Sequence, residues 1–215
     1  SGTSTLAGSI TLAGNTTFGV DAGSLLLSGT LAGGSFGLTK TGAGTMVLAG
    51  SYAYSGTTSV QAGSLMLKRV GGGTLGALSL TGTGAAVVLG FGGASEFNES
   101  SVGTLLGTAA SNLNAPGALV GFDVSALSGG SVYSGSLLIA SGTFAKLGAG
   151  SLVLSGNQMY QTAHISGGTL QFGSGGLSGA PGMAALFISN SATAVVNLSA
   201  TTLAGVIAGS GALVL

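Results

Sequence analysis

Hydrophobic and polar residues alternate along this chain in short runs, most clearly at Thr45-Met46-Val47-Leu48. Alternation with a period of two places Met46 and Leu48 on one face of a β-strand and Thr45 and Val47 on the other. Each run ends at a small residue and a glycine, and β-branched runs bounded by glycine, asparagine and serine are typical of strands joined by turns. The pattern therefore predicts many short β-strands rather than helices.

The best-formed segment, 38–67, recurs at 143–172. Lys40 corresponds to Lys146, the Gly-Ala-Gly run at 42–44 to the run at 148–150, and Tyr54 to Tyr160. A shorter copy covers about residues 6–27, and a second related pair, 78–88 and 186–196, has nearly the same offset. Self-similarity on this scale predicts a solenoid, because one copy cannot bury its own apolar face but stacked neighbours can. The offsets indicate roughly two long units.

Three features of the first repeat carry a family likeness. They are the run Lys-Thr-Gly-Ala-Gly-Thr-Met-Val-Leu-Ala-Gly from Lys40, the tyrosine near the following turn, and the Val-x-Ala-Gly-Ser-Leu end. They resemble the autotransporter-associated β-strand repeat, also called the passenger-associated transport repeat. The resemblance is good over 38–67 and 143–172 and partial over 6–27. It implies a parallel β-helix in a large exported bacterial surface protein. It supplies no catalytic residue.

The fold expected from these observations is all-β: a right-handed parallel β-helix, or β-solenoid, of roughly ten rungs, about 45–50 Å long at about 4.8 Å per rung. Residues 1–215 are predicted to form one continuous solenoid segment with a less regular insertion at 91–140, as part of a longer chain or array. Recurrence and alternation place one set of aliphatic side chains in the interior: Met46, Leu48, Leu65, Leu67, Leu152, Leu154 and Leu170.

Composition narrows the class of protein. Only 4% of the residues are charged, the net charge is zero, and no cysteine is present. Phosphate binding needs a stripe of basic residues, so nucleic acid is not an expected partner. The mean hydropathy is high, at +0.70, yet glycine, serine and threonine interrupt every apolar run, so no segment has the ~20 apolar residues of a transmembrane helix. Disordered chains are poor in apolar residues, whereas 45% of this chain is hydrophobic.

Few side chains could perform chemistry. Glu96 and Glu99 are close in sequence, with Asp123 as a further carboxylate, and such a set could serve as acid and base or bind a cation weakly. A surface loop is the preferred interpretation. His164 is the only histidine, so no catalytic triad or zinc site can be assembled around it, and a structural role is expected. The sequence thus predicts no catalytic residue, no cofactor and no metal site.

Lys40 and Lys146 stand at matching places, and they are predicted to lie on a solvated face or to discourage lateral strand pairing; ligand binding is the alternative. Tyr52, Tyr54 and Tyr160 are expected to cap the polar turn and to pack over neighbouring rungs. Further turns are predicted at 71–73, at Pro116-Gly117 and at 180–182.

The preferred function is structural: a segment of an exported bacterial surface fibre or autotransporter-type passenger, located outside the cell or on its surface. By resemblance, a β-barrel translocator is expected beyond Leu215. An adhesin-type module for glycans or surfaces is the alternative, with residues 91–140 or rows of threonine and tyrosine as its binding surface. A polysaccharide-cleaving β-helix enzyme is a third hypothesis, which needs a carboxylate cluster.

The two ends of the sequence also match each other. Residues 209–215 followed by Ser1 and Gly2 reproduce the pattern of residues 148–156. Because an uncapped β-helix end exposes backbone donors and acceptors, a following unit could satisfy them. The chain is therefore expected to bind itself head to tail and to form a filament.

Overall fold

The computed structural model describes residues 2–68, 74–109, 112–113, 115–175, 181–199 and 205–215. Within these residues every strand pair is parallel. The fold is a parallel β-solenoid of about nine turns, as the repeats predicted. Its right-handed sense, which nearly all parallel crossovers share, stays a prediction.

The strands are short, as the alternating runs indicated. Those before the single described helix are β1 Thr3–Leu6, β2 Ile10–Thr11, β3 Thr16–Gly19, β4 Ser24–Leu27, β5 Leu31–Gly34, β6 Leu38–Thr41, β7 Thr45–Leu48, β8 Tyr52–Tyr54, β9 Thr58–Val60, β10 Ser64–Leu67, β11 Thr74–Leu75, β12 Leu78–Leu80 and β13 Ala86–Gly90. The helix α1 spans Glu99–Ala109. The strands after it are β14 Leu119–Asp123, β15 Gly130–Tyr133, β16 Leu137–Leu147, β17 Ser151–Leu154, β18 Gln158–Ile165, β19 Gly168–Phe172, β20 Pro181–Gly182, β21 Ala185–Ile188, β22 Ala192–Val196, β23 Val206–Gly209 and β24 Ala212–Val214.

One long sheet runs through the whole solenoid, in the order β1-β4-β7-β10-β13-β14-β16-β18-β21-β23, with β20 attached to β18. Before α1, two four-stranded sheets, β2-β5-β8-β11 and β3-β6-β9-β12, complete the rungs. After α1, a five-stranded sheet, β15-β17-β19-β22-β24, does so together with the first halves of β16 and β18.

The interior consists of columns of side chains that the parallel register places directly above one another. Leu27, Leu48, Leu67 and Leu89 form one such column, and each is at most 2% exposed. All seven aliphatic residues that were predicted to lie inside are buried. Around the middle of the rod, the interior is aromatic: Phe122 contacts Phe91, Tyr133 and Phe144 at ring-centroid distances of 5.0, 5.3 and 5.5 Å.

The insertion at 91–140 holds a helix that the sequence did not predict. Asn98 begins it, because its Oδ1 accepts the N–H of Ser101 at 2.9 Å while Ser101 Oγ accepts the N–H of Asn98 at 3.0 Å, which satisfies two donors that a helix start leaves free. Val102, Leu105 and Leu106 are buried against the solenoid. Helix α1 therefore stands where a rung would otherwise carry strands.

The two repeats do not lie on the same faces. Strands β7 and β10 of the first repeat belong to the long sheet, whereas the corresponding β17 and β19 belong to the five-stranded sheet. Before α1, the long sheet holds the strand that follows each glycine turn, such as β7, β10 and β13. After α1, it holds the strand that precedes the turn, such as the end of β16, and β14 occupies the same place. The change therefore occurs at the pairing of β13 with β14, between which the insertion lies.

Two of the predicted turns had other outcomes. Pro181 and Gly182 form strand β20 against residues 158 and 159, so the turn predicted there is wrong. Proline is tolerated because this strand has a neighbour on one side only among the described residues. The turn at Pro116-Gly117 is present, with Gly117 at φ +69°. Residues 71–73 and 180 lie outside the described part.

Replacement of Leu154 by alanine should lower the free energy of unfolding by about 2–5 kcal/mol, because the side chain is fully buried. The matched control is Val153→Ala on the same strand, where truncation of the only partly exposed side chain should cost less than about 1 kcal/mol. Unfolding should be followed with more than one probe, since an array can lose structure locally. A loss below about 0.5 kcal/mol for Leu154→Ala would contradict the inward orientation.

Candidate functional site

Lys40 and Lys146 lie inside the solenoid, and both are 0% exposed. Lys40 stands in a column between Phe18 and Val60. Lys146 stands in an equivalent column, between Phe122 and Ile165. In both places an aromatic ring lies on one side of the lysine stem and a β-branched side chain on the other, so the four methylenes pack as part of the apolar core.

Each lysine ammonium reaches the backbone of the turn that follows its strand. Lys40 Nζ donates to the carbonyl oxygens of Thr41 and Gly42 at 2.8 and 2.7 Å and to that of Ala62, one rung away, at 3.1 Å. Gly42 has φ +78°, a conformation that favours glycine, and a Cβ atom there would stand 2.4 Å from the carbonyl oxygen of Val20. The lysine therefore links the turns of two successive rungs.

Lys146 repeats this arrangement in the second copy. Its Nζ donates to the carbonyl oxygen of Gly148 and, across the rung, to that of Gly167 at 2.6 Å. Gly148 has φ +83°. The agreement between the two copies, which lie on different faces of the rod, shows that the lysine and its glycine turn form one local unit.

Burial lowers the pKa of both lysines. The pKa of Lys40 falls below its ordinary value because of burial, and the negative charge of Asp21 partly opposes the shift. Burial lowers the pKa of Lys146 to about 8, again opposed by a carboxylate, that of Asp123. Asp123 itself accepts the backbone N–H of Ser125 at 3.0 Å and the Ser125 hydroxyl.

The prediction of a solvated lysine face is therefore wrong. Leu38 and Lys40 are two residues apart, so both side chains point inward, and Leu38 is also 0% exposed. That spacing is a usable signal for an inward lysine, but it is outweighed in the sequence because charged residues are rarely buried. The interior accepts this lysine because turn carbonyls replace the water around its ammonium.

The three tyrosines are strand residues that point into the interior, and all are at most 2% exposed. Tyr54 also spans the following turn, because its hydroxyl bonds to Thr58 Oγ1 at 2.8 Å, which agrees with a capping role. The hydroxyl of Tyr160 has no hydrogen-bond partner among the described residues. Burial raises the pKa of both of these tyrosines well above the ordinary value.

Each carboxylate of the possible acid–base set accepts a backbone N–H group. Glu96 accepts the N–H of Gly93 at 3.2 Å. Glu99, at the start of α1, accepts the backbone N–H of Ser134 at 2.9 Å and also the Ser134 hydroxyl. These bonds link the helix to the end of β15. Across the described ranges, no three residues of the histidine, cysteine, aspartate and glutamate types come together as metal ligands.

His164 lies on the outer face of the long sheet, as an exposed side chain. Its ring contacts that of Phe187 on the next rung, with centroids 4.8 Å apart. Phe187 is 40% exposed. The expected structural role is compatible with this contact. None of the helices in the described part is long and apolar enough to span a membrane.

The fold and the lysine turns define a repeat-built parallel β-solenoid. Two segments, 38–67 and 144–172, match the family model described as Passenger-associated-transport-repeat. The matches cover less than half of the chain, and they coincide with the two lysine turns and the strands that follow. No curated protein and no solved structure is similar enough to the chain to match it.

The resemblance that the residues carried is thus confirmed for these two segments. A passenger repeat on a β-solenoid supports a surface-exported passenger segment, and such repeats imply export to the cell surface or the extracellular space. The repeat is a structural one, which favours a non-enzymatic role.

The contribution of Lys146 to the stability of the protein should rise with pH between about 8 and 10. The folded state, in which the pKa of Lys146 is lowered to about 8, binds fewer protons there than the unfolded state, in which the ordinary value of 10.5 applies. The gain should be on the order of 1–2 kcal/mol after allowance for solvent screening. Denaturant unfolding across this range measures it.

Lys146→Met should reduce the slope by the contribution of Lys146, because methionine fills the column without a titrating group. The part that Lys40 contributes through its own lowered pKa should remain. The matched control is Lys68→Met, at a partly exposed lysine outside both turns, which should leave the slope unchanged. An equal slope in the Lys146→Met protein would show that other groups cause the pH dependence.

Proposed function

We propose that this chain is a rod-forming structural segment of an exported bacterial surface protein, and that its rods stack end to end into a filament. The observation that carries the proposal is the change in exposure along the interior columns. Positions that are buried in the middle of the rod become exposed in the first and last described rungs. A further rung stacked on either end would bury them.

The last rung presents an apolar surface. Phe144, Leu186 and Ile207 belong to one column; the first two are at most 1% exposed, whereas Ile207 is 43% exposed. Leu170 and Leu213 belong to a second column and are 0% and 38% exposed. Burial of these side chains in a stacked contact would be favourable, at roughly 25 cal/mol per Å² of apolar area.

The first rung also exposes an apolar side chain, at one column position. Leu6 is 45% exposed, whereas Leu27 directly beside it in the column is 2% exposed. Strands β1, β23 and β24 each pair on one side only within the described part, so their outer edges can accept another parallel strand. The zero net charge of the chain opposes no such contact.

Ile207→Lys should weaken end-to-end association by at least about tenfold, because it places a charge in the stacking surface at an already exposed position. Val132→Lys is the matched control: Val132 is 52% exposed, but it lies on the side of the rod, so association should not change. Sedimentation measures association, and electron microscopy should show an axial repeat of about 45 Å.

Two results would contradict this proposal. A monodisperse monomer at high concentration would show that the ends do not associate. Equal association of the Ile207→Lys and Val132→Lys proteins would show that copies meet through their sides rather than their ends.

An adhesin role for glycans is a second candidate, and one observation favours it. The exposed rings of His164 and Phe187 form a small aromatic platform on the outer face of the long sheet. Aromatic platforms of this kind can stack against the apolar face of a sugar ring. A glycan array tests the idea, with Phe187→Ala as the variant that should lose any signal; an array without signal would remove this candidate.

A further inference from the structure

A groove of about 230 Å³ lies between α1 and the start of β16. Helix α1 contributes Gly103, Leu106 and Gly107 to one wall, and residues 135–139 form the opposite wall. A Cβ atom at Gly103 or Gly107 would meet nothing within 4 Å, so the helix side of the groove is open. The groove exists because α1 takes the place of a strand and does not fill all of the space below β16.

The first part of β16 is a strand edge that faces this groove. Residues 137–139 pair with 158–160, and no strand of the described part pairs with their other side. The N–H of Leu137 donates to Asn157 across that pairing, at 3.0 Å. Because successive residues of a strand point their backbone groups to opposite sides, the N–H and C=O of Leu138 are directed to the groove.

The chemistry of the groove restricts what could occupy it. Its walls are mostly apolar, and among the described residues that line it Tyr133 is the only ionisable one. The nearby carboxylate of Glu99 is engaged by Ser134. Next to the groove, the side chain of Met159 lies beside that of Leu138 on the neighbouring strand. These two residues are 48% and 45% exposed, so they extend the apolar surface.

We propose that this groove binds an extended, uncharged peptide segment of a partner protein, which pairs with residues 137–139 as an added β-strand. Backbone hydrogen bonds to Leu138 would hold the peptide, as in other cases of strand addition to a sheet edge. Three residues of strand span about 10 Å. The small volume of the groove, about 230 Å³, favours small or single aliphatic side chains on the peptide. This interaction is independent of end-to-end stacking.

The probe is an acetylated and amidated heptapeptide, Ser-Gly-Ala-Leu-Ala-Gly-Ser, with a fluorescent label. Its binding to the whole chain is measured by anisotropy, and its place by amide hydrogen exchange. We expect saturable binding with slower exchange of the Leu138 amide. The end rungs have open edges too, so protection confined to residues 3–6 or 206–214 would overturn the proposal.

Gly107→Leu should weaken binding by at least about tenfold, because it adds a bulky side chain to the groove wall at a position where a Cβ atom has open space. Thr104→Leu is the matched control: it adds the same side chain to α1 at an exposed position that does not line the groove, and binding should stay within about twofold. Equal affinities for the two variants would overturn the proposal.

A second test separates strand pairing from the binding of any apolar molecule, without a change in the protein. N-methylation of the central leucine and both alanines of the peptide removes their backbone donors and should abolish binding. Leu138→Pro removes the groove-facing backbone donor of the protein and should weaken binding of the unmethylated peptide. Proline is compatible with a strand edge, so the fold should be kept. If the methylated peptide binds as tightly as the parent, the site recognises apolar side chains only, and the proposal fails.

Discussion

The parallel backbone ladder is the constraint on which the rest of this structure depends. Each strand must satisfy its donors and acceptors on the strand of the next rung, and that requirement holds residues in columns. The position of a column, inside or outside the rod, then determines whether its side chains are buried. Leu48 and Leu67 are buried because the register places them on top of one another, far from each other in sequence.

The ladder also explains how the interior tolerates two lysines. A buried ammonium is expensive unless hydrogen bonds replace its water. Stacking brings the turn of the next rung, with Ala62 or Gly167, within reach of the Nζ that already contacts its own turn. A single isolated turn could not supply this second set of carbonyls. The lysine thus joins rungs to each other, while its stem fills the core.

The helix insertion shows what happens where the ladder is interrupted. Strand β13 still pairs with β14, so the long sheet continues without a break. The other faces lose their strands to α1, and a cluster of aromatic rings around Phe122 fills the interior at that level. The interruption leaves a groove and, within the described part of the chain, a strand edge without a neighbouring strand, in the middle of a rod whose other strands are mostly paired on both sides.

By itself, the sequence determined the succession of short strands and turns, the parallel solenoid and the aliphatic interior. Alternation and recurrence can be read along the chain, and they hold for any arrangement in which the repeats stack. The burial of Lys40 and Lys146 was decided by the tertiary structure, since it depends on carbonyls from a rung about twenty residues away. The placement of the second repeat on another face was decided in the same way. Two segments with the same sequence pattern form the same local strands, but only the pairing of β13 with β14 sets the face on which each strand lies.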